Sequence, residues 1–285
     1  MPSLTPVSEG MGPMPLDMLA QSLVRIAIAA GGPVASVYFR GCPTRWKADG
    51  SPVTEADLAA ERLILERLAA AFPGIPVVAE ESVAAGHRSE LGPRFLLVDP
   101  LDGTREFIAQ RNEFTVNVAM IEDGRPIAGA IYAPLLGQAW FGGTSSYTVP
   151  APPGSEAADL TGARRIGVRA PPDTGLIALV SRSHADPATD AYLSRLSLAE
   201  RHPIGSSLKF CRIAEGVADV YPRLGGIREW DIAAGHAILQ AAGGTMTALD
   251  GAPVRYGDPT EGFRLPGFLA SAGFGLPASD PAVAA

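Results

Sequence analysis

The sequence predicts a layered α/β protein, with an α+β N-terminal half and an α/β C-terminal half. Three observations carry this reading. Phe95–Val98 is an unbroken apolar run of strand length, the pattern of a strand buried on both faces. Phe114–Ile121, Ile127–Tyr132 and Gln138–Gly142 follow as further strands, and Asp123-Gly124 between the first two has the chemistry of a tight hairpin turn, so this part reads as an antiparallel meander. After a stretch rich in Gly, Pro, Ala and Ser at 143–175, short apolar strands alternate with helical patterns. A boundary is placed there, giving domains at 16–148 and 160–275.

Taken in order, residues up to Pro15 read as a disordered leader. Leu16, Leu19, Leu23, Ile26 and Ala27 recur at helical spacing and predict a helix to about Ala30. Gly31-Gly32-Pro33 is expected to interrupt it before a second helical or extended stretch with Val34, Val37 and Phe39. A polar turn at 47–52 leads to Thr54, a helix N-cap, and to a helix over Leu58–Ala71 ended by Pro73-Gly74. Ile75–Ala79 is a short strand. In the second half, Ile177–Val180 is a buried strand, Ala191–Leu198 reads as helical, and Gly205–Lys209 opens a helix that reaches Gly216. Val217–Tyr221 is a strand. Ile232–Gln240 is an Ala-rich helix stopped by Gly243-Gly244, and Thr245–Leu249 and Phe268–Ala270 are the last strands.

The chain has 285 residues, 47% of them apolar, and a net charge of −7. That charge, with no basic run among aromatics, disfavours nucleic acid as a partner. Two cysteines, Cys42 and Cys211, are too few for a disulfide framework and are not spaced as zinc ligands, so reduced thiols and a cytoplasmic location are expected. The start shows no signal-peptide pattern, and no apolar run approaches the roughly 18 residues of a membrane span. Peripheral association with the inner membrane stays open, as does oligomeric state.

Chemistry is concentrated where the buried strand ends, in Asp99-Pro100-Leu101-Asp102-Gly103-Thr104. Two carboxylates on one stiffened turn repel each other, and a divalent cation with oxygen ligands is the simplest partner, with the Leu101 carbonyl as a further ligand. Arg105–Ile108 opens a helix at whose start amide groups suit phosphate. The structural alternative is an Asx-type turn that ends a strand. Phosphatases with an aspartyl nucleophile space two carboxylates two apart; here they are three apart, which suits metal-assisted attack by water. Other residues have two readings each. Asp57 completes a capping box with Thr54 or orients water. Glu80-Glu81 is a solvated acidic pair or a second carboxylate donor at a strand end. Gly205-Ser206-Ser207-Leu208-Lys209 is a capped helix or an anion cradle. Asp231 is a helix-capping residue or an inward metal ligand.

Together VTEAD, AEES, DPLDGT and EWDIAAG resemble, in order, the four signatures of the inositol monophosphatase superfamily of magnesium-dependent, lithium-sensitive phosphomonoesterases. GTREFI, RNEFTVNVAMI, SRSH, GSSLKFCRIAEG and YPRLG narrow the resemblance to its 3'(2'),5'-bisphosphate nucleotidase branch, which removes the 3'-phosphate of adenosine 3',5'-bisphosphate, a by-product of sulfate activation. The resemblance implies an α-β-α-β-α sandwich that holds two to three Mg²⁺. It implies Glu80, Asp99, Asp102, Asp231 and the Leu101 carbonyl as metal ligands, and Asp57 and Thr104 as the pair that activates water. It further implies Gly103 and Thr104 as donors to the scissile phosphate, and His184, Ser206, Lys209 and Arg223 as nucleotide contacts. The chain departs from the family pattern in Gly225–Arg228, where Gly-Pro-Thr is expected, and in Tyr256–Pro266, where a shorter, Lys-containing loop is usual. Other functions in view are an inositol or sugar-phosphate phosphatase and a non-catalytic metal or nucleotide sensor.

Overall fold

A computed structural model describes residues 14–47, 50–155, 159–183 and 186–279. In chain order its elements are α1 (Leu16–Arg40), β1 (Arg45–Trp46), β2 (Pro52–Val53), α2 (Glu55–Ala71), β3 (Val77–Ala79), α3 (Glu80–Ala84), β4 (Arg94–Asp102), α4 (Thr104–Ile108), β5 (Thr115–Glu122), β6 (Arg125–Ala133), β7 (Gln138–Gly142), β8 (Ser146–Pro150) and β9 (Arg164–Ile166). Then follow β10 (Leu176–Ser181), α5 (Pro187–Leu193), β11 (Leu198–Ile204), α6 (Leu208–Ala214), β12 (Val220–Arg223), β13 (Ile227–Arg228), α7 (Glu229–Ala241), β14 (Thr245–Thr247), β15 (Arg264–Leu265) and β16 (Phe268–Ser271).

The expected meander is present and longer than the sequence pattern indicates. β3 to β9 form one seven-stranded sheet in chain order, antiparallel throughout except for the parallel β3–β4 pair. Its strands are apolar on both faces because both are covered. Leu96, Val98, Val118, Ala130 and Phe141 pack with α1 and α2, while Phe95, Leu97, Ala119, Ile131 and Trp140 pack with α6 and α7. A second sheet, ordered β11-β10-β12-β16-β14, lies on the far side of α6 and α7, with β11, β10 and β12 parallel. α5 covers its outer face through Leu193 and Tyr192. The result is five layers in the order α-β-α-β-α.

Close contact between layers depends on glycine. A Cβ on Gly129 of β6 would lie 2.6 Å from the Ala234 carbonyl oxygen of α7, and one on Gly142 of β7 would lie 2.8 Å from the Ile238 Cα. The small residues let α7 sit directly on the sheet.

Two predicted elements are corrected. α1 does not break at Gly31-Gly32-Pro33 but runs through to Arg40. A single buried stripe from Leu19 through Ala30 to Val37 faces the sheet, so packing outweighs the weak helix propensity of Gly and Pro. Gly31 belongs there because a Cβ would strike the Tyr132 ring at 2.1 Å. In length and hydropathy α1 matches a membrane span, contrary to the expectation that no segment would, but 61% of that apolar window is buried inside the fold. The second correction concerns Ala191–Leu198. The helix there, α5, ends at Leu193, and Leu198–Ile204 is the edge strand β11.

Candidate active site

The Asp99–Asp102 turn is a β-bulge. Asp99 pairs with Asn117 and Asp102 with Thr115, so four residues of β4 face three of β5. In a regular strand, residues three apart point to opposite faces. The extra residue turns Asp102 onto the face that Asp99 already occupies, the one that meets α6 and α7. Gly103 follows at φ 93°, a left-handed conformation suited to glycine, and a Cβ there would also crowd the Glu113 carbonyl at 3.1 Å. The reversal starts α4 and brings Thr104 back over the turn.

Around this bulge lies a cavity of about 460 Å³, lined by Glu80, Asp99, Leu101, Asp102, Gly103 and Thr104 from the first half and by Ser206, Lys209, Arg223 and Asp231 from the second. Each carboxylate has local partners. Asp99 accepts from the Leu101 amide at 3.0 Å. Asp102 accepts from the Ser207 amide at 2.6 Å and from Asn117 Nδ2 at 3.4 Å. Asp231, in the first turn of α7, accepts from the Arg228 amide at 3.3 Å. Glu80 accepts from Lys47 Nζ at 2.6 Å, and the same ammonium reaches Glu81 at 2.5 Å. Burial lowers the affinity of Lys47 for its proton, but Glu80 and Glu81 outweigh it and hold the ammonium above its usual range.

Burial pushes Asp99 well above the usual carboxylate range, and the charges of Glu80, Asp102 and Asp231 push it further. Burial does the same to Asp231, followed by Asp102 and Glu80, with Arg223 opposing. Asp102 is pushed up to about 6 by burial, against the pull of Lys209 and the Ser207 amide. These anions therefore repel one another across the cavity. Among the described residues no three His, Cys, Asp or Glu side chains stand close enough to hold a metal as they are. The donor chemistry nevertheless fits a hard divalent cation: carboxylates and Leu101 line one cavity, with no sulfur or imidazole among the lining, and the repulsion between carboxylates is what such a cation relieves.

Asp57 and Thr104, 47 residues apart, meet. Thr104 Oγ1 lies 3.2 Å from Asp57 Oδ1 and 3.1 Å from the Leu101 carbonyl oxygen. The capping reading of Asp57 is also realised: its Oδ2 accepts from the Thr54 amide at 2.7 Å and from the Thr54 hydroxyl at 2.6 Å. One carboxylate thus caps α2 with one oxygen and reaches the site with the other. Burial pushes it up to about 6 despite those bonds.

The nucleotide-side residues are placed as follows. His184 lies outside the described residues. Lys209 lines the cavity, but its ammonium donates to the carbonyls of Ile204 at 3.0 Å and Ser206 at 2.7 Å and lies 4.8 Å from the Tyr221 ring centre. Ser206 adopts φ 49° at the turn before α6. The amides of that turn serve protein carboxylates, Gly205 donating to Glu113 and Ser207 to Asp102. Arg223 donates to the Gly226 carbonyl at 3.4 Å. Sequence reading missed Lys47, Asn117 and Ser207. Ser207 Oγ lies 2.8 Å from both Asn117 Oδ1 and Thr115 Oγ1, a buried polar cluster that fixes Asp102. The available signal was Asn117, a polar residue inside the apolar run Phe114–Ile121 and on the Asp99 face.

The inositol monophosphatase family profile matches residues 16–269. The chain is 42% identical over 255 residues to the 3'(2'),5'-bisphosphate nucleotidase CysQ of Salmonella typhimurium, covering 88% of this chain and 98% of that one. It is 41% identical over 261 residues to the protein of the same name in Escherichia coli K12, covering 90% and 99%. Its fold is similar to the crystal structure of CysQ from Bacteroides thetaiotaomicron, with a TM-score of 0.75 and 34% identity over 90% of this chain and 98% of that one.

Proposed function

The chain belongs to the inositol monophosphatase family, and from that premise we propose that it is a 3'(2'),5'-bisphosphate nucleotidase that hydrolyses the 3'-phosphate of adenosine 3',5'-bisphosphate. The observation that carries the reading is the Asp57–Thr104 contact beside the carboxylate cluster. A protein that only bound metal or nucleotide would have no use for a proton acceptor there. The nucleotidase relatives, matched over nearly their whole length, support the substrate class.

Two to three Mg²⁺, held by Glu80, Asp99, Asp102, Asp231 and the Leu101 carbonyl, would supply positive charge against the phosphate oxygens and make water more acidic. The chain's own residues do the rest. The Thr104 hydroxyl donates to Asp57 Oδ1, which leaves its lone pairs to accept from the attacking water. As water adds to phosphorus, its proton passes to Thr104 Oγ1, whose own proton moves to Asp57, while the bond from phosphorus to the 3'-oxygen breaks and that oxygen leaves as a hydroxyl after taking a proton from solvent. A carboxylate pushed up to about 6 is matched to that transfer near neutral pH. The amides of Gly103 and Thr104, at the start of α4, hold the scissile phosphate. Ser206, Lys209 and Arg223 face the nucleotide, Lys209 chiefly by shaping the turn at 204–206.

On this reading the two domains, 16–148 and 160–275, meet at the site and each supplies ligands. The partner is a small phosphorylated nucleotide and the setting is sulfur metabolism. The free, unpaired thiols of Cys42 and Cys211 suit the cytoplasm. Phosphate release with Mg²⁺, and then with excess EDTA, tests the enzyme reading. Release is expected to stop with EDTA, return with Mg²⁺, and fall with millimolar LiCl relative to NaCl and KCl controls. Phosphate release that persists in EDTA would reject the metal assignment, and none under any condition would favour a sensor.

A further inference from the structure

The 257–263 loop forms a wall of the active-site cavity at Gly262. Arg228 and Glu229 hold it there. Arg228 Nη1 donates to the carbonyls of Glu261 at 3.2 Å and Gly262 at 2.7 Å. Glu229, fully buried and facing the other way, accepts from the amides of Gly257 at 2.7 Å and Asp258 at 3.2 Å, and its own amide donates to the Phe263 carbonyl at 2.9 Å. β13 and β15 close the loop as a two-stranded ribbon that pairs Arg228 with Arg264. Gly262 permits the close approach, since a Cβ there would lie 2.9 Å from Arg228 Nη1.

The charges on the cavity wall are not equivalent. Lys47 is spent on Glu80 and Glu81. Lys209 is buried against carbonyls. Arg223 lies where its charge acts on Asp231. Elsewhere Arg94, Arg169, Arg182 and Arg212 each rest on a carboxylate. Arg88 and Arg228 each give one nitrogen to two neutral carbonyls, but those of Arg88 belong to its near neighbours in sequence, Val83 and His87, whereas those of Arg228 belong to Glu261 and Gly262 of the wall loop, and the Arg228 guanidinium lies 5.8 Å from the Trp230 ring centre. Arg228 lines the cavity near Arg223 and Asp231, and among the described residues no carboxylate forms a salt bridge with it, which suits a guanidinium that binds a phosphate by two parallel bonds.

Resting on the nucleotidase reading, we propose that Arg228 is a specificity residue that binds the substrate's second phosphate, the one not hydrolysed. Its bonds to Glu261 and Gly262 fix the guanidinium so that little freedom is lost when the ligand arrives. The test uses the full chain with Mg²⁺ and compares kcat/KM on adenosine 3',5'-bisphosphate and adenosine 3'-monophosphate. Arg228→Ala is expected to lower the bisphosphate-to-monophosphate ratio about ten- to a hundredfold. Arg228→Lys, which keeps charge but not the fork, should fall between and serves if the Ala variant does not fold. Arg88→Ala and Arg105→Ala, at two further arginines lining the cavity, are the controls. An unchanged ratio in both Arg228 variants, equal losses on both substrates, or a loss confined to the controls would overturn the proposal. The wild-type protein separates this from the underlying reading: if it fails to hydrolyse the bisphosphate, that reading fails before any variant is compared.

Discussion

At the scale of single residues, the site is a problem of charge held out of water. Asp102 is pushed up to about 6 by burial, while Lys209 and the Ser207 amide stabilise its anion. Asp102→Asn removes one of the repelling charges yet keeps an oxygen to accept from the Ser207 amide. The variant is therefore expected to have an unchanged or higher Tm without metal and to lose phosphate release with it. Near wild-type turnover at saturating Mg²⁺ would show that Asp102 is not an essential ligand. His236 gives a second residue-scale test away from the site. Burial lowers it to about 4 from 6.5, and its Nδ1 lies 2.9 Å from Tyr256 Oη. The unfolded chain therefore takes up this proton before the folded one. The contribution of neutral His236 is whole above about pH 6.5 and is lost as pH falls toward 4, up to about 3 kcal/mol. The raised carboxylates act in the opposite direction, so the readout is the difference between wild type and His236→Gln. Their urea midpoints should converge between pH 7 and 4.5, and parallel pH profiles would count against the assignment. Much at this scale was legible. Asp99 and Asp102 stood out as carboxylates at the end of an apolar strand, and Asp231, read as a helix cap or a ligand, lines the same cavity. Lys47 did not stand out, because nothing in a polar turn shows which anions it will meet.

Among the elements, the β4 bulge decides whether the motif makes a site. Its sequence suggests a turn, and the structure keeps it within the strand with one extra residue, which puts both carboxylates on one face. That register depends on the partner strand, so the motif alone could not reveal it. The same limit explains two misread elements. The continuation of α1 through Pro33 is set by the sheet beneath it. β11 is missed because its residues are mostly exposed and carry no apolar signal, as befits an edge strand. The glycine contacts between layers were equally invisible, since Gly129 sits in a strand where glycine has no local purpose. Gly129→Ala would press a methyl against the Ala234 backbone, which cannot move without shifting α7. A loss of about 1–3 kcal/mol in urea unfolding is expected. An unchanged midpoint would mean that α7 and the sheet are not in the contact described.

For the whole molecule, the five layers matter because the third, α6 with α7, is shared by both sheets. Asp231 and the Ser207 amide come from this layer and the bulge comes from the first sheet, so the site forms only when the layers are stacked. The division into an α+β half and an α/β half was readable from the meander and the later alternation. The stacking was not, since each half is apolar on surfaces whose partners are distant in sequence. The central claim is that this stacked site acts on a nucleoside bisphosphate. Its most direct test is kcat/KM of the wild-type protein with Mg²⁺ on adenosine 3',5'-bisphosphate against inositol 1-phosphate. The bisphosphate is expected to be preferred by at least about tenfold, the worth of one charge-assisted contact. An equal rate, or a preference for inositol 1-phosphate, would contradict the account.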